Sequence, residues 1–105
     1  MVARIWHGWT KPENAENYKR LLEEVIFPGI AAKNIQGYKK IELLCRPLDN
    51  EVAFITIMWF ESWDAIKTFA GENYSQAYVP QEARELLSRF DTEAQHYEMI
   101  TTLSY

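Results

Sequence analysis

The apolar run from Val52 to Phe60 carries hydrophobic side chains at nearly every position instead of at every second one. One face of a strand built from it holds Ala53, Ile55, Ile57 and Trp59, and the other holds Val52, Phe54, Thr56, Met58 and Phe60. A strand with a single buried face alternates apolar with polar, so this pattern predicts a strand whose two faces both need cover. Ser62 follows, placed to accept an orphan amide hydrogen at the start of a helix over 63–70. That helix puts Trp63, Ile66 and Phe69 on one side and stops at Gly71.

Upstream, Val2 to Trp9 is rich in β-branched and aromatic residues and reads as a strand. Thr10-Lys-Pro-Glu13 has the form of a capping box with proline in the first turn. Ala15, Tyr18, Leu22 and Val25 then recur at helical spacing, opposite Glu16, Lys19, Arg20 and Glu23. Pro28 disfavours helical geometry at Phe27, so this helix is expected to end or kink there, with a short helical turn over 29–34. Gly37 opens a strand over 38–46 whose charges at Lys39, Lys40, Glu42 and Arg46 suit a sheet edge. Pro47 to Asn50 has turn chemistry and closes a hairpin into the doubly apolar run.

Downstream, 72–79 is irregular and holds Tyr74 and Tyr78. Pro80 starts a helix with Ala83, Leu86, Leu87 and Phe90 in helical register, and 92–101 reads as a last strand. The order β-α-β-β-α-β, with one extra helix before the final strand, predicts an α+β ferredoxin-like fold: a four-stranded antiparallel sheet with helices on one side. Its first and third strands lie at the centre, which matches the run at 52–60. Helices cover one face only, so the other face calls for a second copy of the chain. Ile5, His7, Ile41, Leu43, Ile55, Ile57 and Trp59 are expected at that interface.

With 105 residues the chain fits one domain, residues 1–105. Hydrophobic residues at 48% and charged residues at 25% exclude a disordered tail, and a net charge of -4 without a basic cluster argues against nucleic acid. No stretch approaches the ~20 apolar residues of a membrane span, and the N-terminus lacks signal-peptide form, so a cytoplasmic protein is expected, with no membrane partner. Cys45 is the only cysteine, read here as a small buried hydrophobe. Two histidines and one cysteine at unrelated spacings make no metal site, and the scattered glycines make no phosphate loop.

The apolar strand ending in aromatic-Glu-Ser and running into an amphipathic helix resembles the antibiotic biosynthesis monooxygenases, a family of dimeric α/β barrels. The residues carrying the resemblance are Thr56-Ile-Met-Trp-Phe-Glu-Ser-Trp-Asp-Ala-Ile-Lys-Thr-Phe69, with Lys11-Pro12 after the first strand and Gly37-Tyr38 before the second. The resemblance implies a homodimer and, in each subunit, a pocket for a small aromatic or quinol-type molecule between sheet and helices. Phe60 is implied to look into it, with Phe54, Thr56 and Met58 on the same strand face; Arg4, Trp6, Glu42 and Leu44 are implied to join them. It further implies oxygenase chemistry without a metal or prosthetic group, with Arg4 holding a phenolate, Trp6 and Phe60 sandwiching the ring, and Glu42 or His96 handling the proton. Two positions depart from the family: quinone-forming members tend to have tryptophan at the place of Phe60 and asparagine at that of Thr56. Haem-degrading members ligate iron through a histidine after the second main helix, and here no histidine lies between Gly8 and Gln95.

Each candidate has a plainer alternative. The tryptophans suit core or interface as well as ligand stacking. Arg4 could pair with Glu42 or Glu98 within the sheet instead of meeting a ligand. His7 should face the partner subunit, and parity leaves the face of His96 open. Tyr74 and Tyr78 fit a pocket rim or simple packing. A non-catalytic small-molecule-binding or stress-responsive dimer remains the alternative to an oxygenase.

Overall fold

In the computed structural model, which describes residues 1–105, the doubly apolar run forms β3 (Val52–Phe60) and is paired on both sides. Its neighbours are β1 (Val2–Thr10) and β2 (Tyr38–Pro47), both antiparallel. Along the far edge of β1 lie two short strands, β4 (Leu87–Phe90) opposite Gly8 to Thr10 and β5 (Gln95–Glu98) opposite Val2 to Ile5. The sheet therefore runs β2-β3-β1 with β4 and β5 sharing the last place. The helices are α1 (Ala15–Leu21), α2 (Phe27–Ala31), α3 (Trp63–Ala70) and α4 (Gln81–Leu86). The α+β, ferredoxin-like architecture with β1 and β3 at the centre is as the sequence predicts.

Two hydrophobic clusters fill the space between sheet and helices. One joins Val2, Met58 and Phe60 to Ala65 and Ile66 of α3, and the other joins Phe54 to Tyr18, Leu22, Val79 and Ala83. Ser62 caps α3 as expected, its Oγ accepting from the Ala65 amide at 3.2 Å. Gly71 ends that helix with a φ of 87°, a left-handed conformation that costs glycine nothing.

Several expectations are corrected. Of the two outcomes expected at Phe27, an end or a kink, the helical run does not end. A π-helical turn over Leu22–Ile26, in which the Phe27 amide bonds to the Leu22 carbonyl, lets it continue through Pro28 to Ala31. Proline at 28 has no N–H to give to the fourth carbonyl before it, and the wider turn accommodates that loss. The capping box at Thr10 does not form: Thr10 closes β1, fully buried, and its hydroxyl has no partner. The helix from Pro80 stops at Leu86, and Leu87–Phe90 becomes β4, because the edge of β1 at Gly8 to Thr10 offers backbone partners there. The expected last strand shrinks to Gln95–Glu98. Cys45 is exposed, since it sits on the outer strand beyond the reach of the helices.

The largest correction concerns β2. Its pairing with β3 slips by one residue between Tyr38 and Lys40, a bulge that reverses the parity of everything after it. Ile41 and Leu43 stand opposite Met58 and Thr56 and pack on the helix side. Glu42 and Leu44 stand opposite Ile57 and Ile55, on the open face. Ile41 and Leu43 are therefore not interface residues, and Glu42 and Leu44 do not look towards the helices.

Candidate functional site

A cavity of about 500 Å³ opens between the sheet, the π-turn with α2, and the stretch 76–80. Arg4, Trp6, Thr56 and Met58 form its floor, Leu22, Ile26 and Ile30 one wall, and Gln76 to Pro80 the other. The π-turn matters here, because it carries the helical path past Pro28 and brings Gly29, Ile30 and Lys33 over the opening. Volume and predominantly apolar lining are those of a small-molecule site.

Arg4 is the polar centre of this cavity, only 7% exposed and yet in none of the chain's ion pairs. Its Nη1 donates to the Tyr74 carbonyl and, at 3.1 Å, to His96 Nε2, while Nη2 reaches the Gln76 carbonyl at 3.5 Å. The guanidinium also stands 5.7 Å from the centre of the Phe69 ring. Neither proposed carboxylate partner is present: Glu42 accepts from Trp59 Nε1 at 2.7 Å across the sheet, and Glu98 from Trp63 Nε1 at 3.2 Å. Burial lowers the Arg4 pKa. A buried cation met only by neutral acceptors is costly, and an anion from outside would relieve it.

His96 faces the same side as Arg4, its direct partner in the β1–β5 ladder. Its pKa is lowered, first by burial and then by the charge of Arg4. Receiving a hydrogen bond at Nε2 fixes the neutral tautomer with the proton on Nδ1. The ring lies against Tyr74 and Trp63, centroids 5.2 and 5.7 Å away, and outside the cavity lining.

The remaining candidates divide. Trp6 lines the cavity and is held by its indole N–H to the Asp91 carbonyl at 2.7 Å. Thr56 lines it beside Trp6, directly opposite in the ladder. Tyr78, 87% exposed, stands at the mouth. Tyr74 contributes its carbonyl to Arg4 and keeps its ring outside the lining. Phe54 and Phe60 do face the helices, but they do not reach the cavity. Phe54 packs edge-on to Tyr18 at 4.9 Å, and Phe60, with no exposure at all, is enclosed by Tyr38 and Phe69. The sandwich of Trp6 and Phe60 around a ring is thus not available. Glu42 is removed from the site by the β2 bulge. His7 is on the open face, 3.3 Å from Asp91.

Reading the sequence missed Tyr18, Lys33, Phe69 and Gln76 as lining residues. Tyr18 and Phe69 carried the signal of helix faces turned to the core, and burial raises the pKa of the Tyr18 phenol, leaving it a neutral donor. Lys33 falls in the expected helical turn over 29–34, which reads as leading out of the helix. Gln76 is positioned by pairing of its stretch with the break between β4 and β5, through Ala77 N–H to Thr92 O at 3.0 Å and Ala94 N–H to Ser75 O at 2.7 Å. No group of three or more histidine, cysteine or acidic side chains gathers as metal ligands, and no helix is long and apolar enough to cross a membrane.

No protein-family model and no curated protein matches the chain by sequence. Solved structures do match, over its whole length. An inferred antibiotic biosynthesis monooxygenase from Bacillus cereus is similar with a TM-score of 0.66 at 11% identity, covering 99% of this chain and 95% of that one. The haem-degrader MhuD of Mycobacterium tuberculosis, solved with two haems in its active site, is similar with a TM-score of 0.60 at 17% identity over 99% and 100%. SnoaB, a cofactor-independent oxygenase of Streptomyces nogalater, is similar with a TM-score of 0.57 at 17% identity over 99% and 97%. At these identities the likeness is one of fold, and the chain has the ferredoxin-like α+β fold of the antibiotic biosynthesis monooxygenases.

Proposed function

We propose that the chain takes a small aromatic or quinol-type molecule into the cavity over Trp6 and oxidises it with O₂, without metal or prosthetic group. The observation that carries this reading is the buried Arg4, in the floor of a predominantly apolar cavity and without a carboxylate partner. Arg4 stabilises the deprotonated substrate, and Trp6, Thr56 and Met58 support the ring. The substrate anion passes one electron to O₂, and the two radicals combine at an activated ring CH₂ to give a hydroperoxide. Loss of water leaves a carbonyl, so one oxygen atom stays on carbon and the other departs with both hydrogens. The similarity to a cofactor-independent oxygenase supports this chemistry.

A second reading, a binding protein without turnover, is favoured by one observation: no carboxylate or histidine lines the cavity to take the proton. Glu42 lies across the sheet, and the Nε2 of His96 is occupied by Arg4. An oxygen electrode with 1,8-dihydroxyanthrone separates the two readings. Oxygen uptake above the protein-free rate, lost in Arg4→Met, supports the oxygenase; quenching of tryptophan fluorescence without oxygen uptake supports the binder.

We also propose a homodimer joined through the open sheet faces. Ile5, His7, Ile55, Ile57, Gln95 and Tyr97 line a shallow concavity there, with Trp59 nearby on the same face. An obligate interface of this kind buries on the order of 2,000 Å² or more in total. Sedimentation at micromolar concentration is expected to give a dimer, and a monomer contradicts the proposal. Haem is not expected to be a substrate, because His7 faces away from the cavity and His96 is tied to Arg4. Titration should produce no stoichiometric, histidine-type Soret band that decays with reductant and O₂.

A further inference from the structure

The cavity is electrically lopsided. Its lining contains two cations, Arg4 and Lys33, and no aspartate or glutamate. Neither belongs to any of the chain's ion pairs, although the chain has 15 acidic residues against 11 basic ones. Both stand over the same ring, Arg4 Cζ 5.7 Å and Lys33 Nζ 5.3 Å from the Phe69 centroid. Phe69 therefore marks a cationic end, while Trp6, Tyr18, Leu22, Val79 and Ala83 make the other end apolar.

The hydrogen bonds of Arg4 show which edge is open. Nη1 is committed to Tyr74 and His96, Nη2 has only the Gln76 carbonyl at 3.5 Å, and Nε has no acceptor within the chain. The Nε and Nη2 hydrogens form a planar fork of the shape that a carboxylate accepts side-on. The same fork would accept a phosphate, but a dianion gains further from a nest of backbone amides, and no glycine-rich turn lies in this lining. A neutral quinol would leave Lys33 without a role.

Resting on the reading that this cavity is the ligand site, we infer that its ligand is an aromatic carboxylate. The carboxylate sits between Arg4 and Lys33 beside Phe69, and the ring system lies in the apolar half over Trp6. This deepens the proposed substrate class: the molecule carries a permanent anion, and the charge that forms on deprotonation is stabilised by the same pair of cations, Arg4 and Lys33.

The test is calorimetric titration of 2-naphthoate against its neutral isostere 2-naphthamide, with 2-naphthol as a third probe. For the native protein the carboxylate is expected to bind at least about tenfold more tightly than the amide, the scale of one charge-assisted hydrogen bond. Lys33→Gln, a change at the cavity mouth, should cut that ratio several-fold, with the carboxylate losing more affinity than the amide. Arg4→Lys should remove most of what remains, read alongside its melting temperature because Arg4 also holds the 74–76 backbone. Equal affinity for acid and amide overturns the inference while leaving the cavity reading in place. So does a preference that neither substitution alters. Failure of all three probes to bind at millimolar concentration overturns both.

Discussion

On the helix-covered face of the sheet, Phe54, Met58 and Phe60 are buried by the chain's own elements, whereas on the other face Ile5, Ile55, Ile57 and Trp59 of the same strands stay half-exposed. The covered face nonetheless holds the larger hollow and the one buried cation, Arg4. Cover and filling are thus different things. Where α3 packs close, the space is solid around Phe60 and Ile66; between the sheet, the π-turn with α2 and the 76–80 stretch, a cavity remains. The open face has only a shallower concavity without a buried cation, and its half-buried isoleucines fit a self-complementary contact. One face suits a small ligand and the other a second copy of the chain.

The comparison breaks most visibly at Ile57. Ile57→Asp puts an unpaired charge into the proposed interface, a change of about 3–5 kcal/mol where such a charge is buried. Sedimentation should then show monomers, while ring ligands still enter the cavity on the opposite face. Loss of ligand binding together with the dimer would mean that the two faces are not independent.

Arg4→Lys acts on the other face. It keeps the charge and loses the planar fork, so affinity for an anionic aromatic should fall by roughly 1–3 kcal/mol. Melting temperature must be measured on the same variant, since Arg4 also holds Tyr74 and Gln76. A destabilised protein with intact affinity would reduce Arg4 to a fastener of the 74–76 backbone.

Ser62→Ala touches neither face and serves as the control. Loss of the bond to the Ala65 amide should lower stability by about 1 kcal/mol and leave assembly and ligand affinity unchanged.

The smallest effect is in acid. The folded state disfavours protonated His96, so below the ordinary value of 6.5 the unfolded chain takes up that proton first. This contribution to stability is complete above that value and is lost as pH falls through the lower folded one. Between about pH 7.5 and pH 5 the melting temperature should decline less in His96→Gln than in the native protein. An identical decline would mean that burial beside Arg4 does not govern this histidine.

The sheet and its central strands were legible in the sequence because periodicity records burial directly: Val52 to Phe60, apolar at nearly every position, reads as a central strand, and it lies between β1 and β2. Ser62 and Gly71 were legible because caps have local chemistry. The site was harder. Arg4 and Trp6, placed at the cavity by the family resemblance, do line it, but Glu42 and Leu44, placed there the same way, do not, because a single-residue bulge before Lys40 shifts the register of β2 and inverts all that follow. Lys33 falls in the turn over 29–34 that reads as leading out of the helix, and the local preference of Pro28 for breaking a helix is overridden by a π-turn that packing holds in place. Leu87 and Phe90 fit helix and strand alike, and only the unpaired edge of β1 decides between them.

The four indole N–H groups allow the central claim to be tested in one experiment. Trp6 lines the cavity, Trp9 and Trp59 belong to the open face, and Trp63 bonds to Glu98 behind Arg4. Titrating ¹⁵N-labelled protein with 1,4-dihydroxynaphthalene under nitrogen, and following the indole signals by NMR, should shift Trp6 strongly and saturably while Trp9 and Trp59 stay in place. A shift of Trp59 or Trp9 with Trp6 unmoved would put the ligand on the open face and contradict the account.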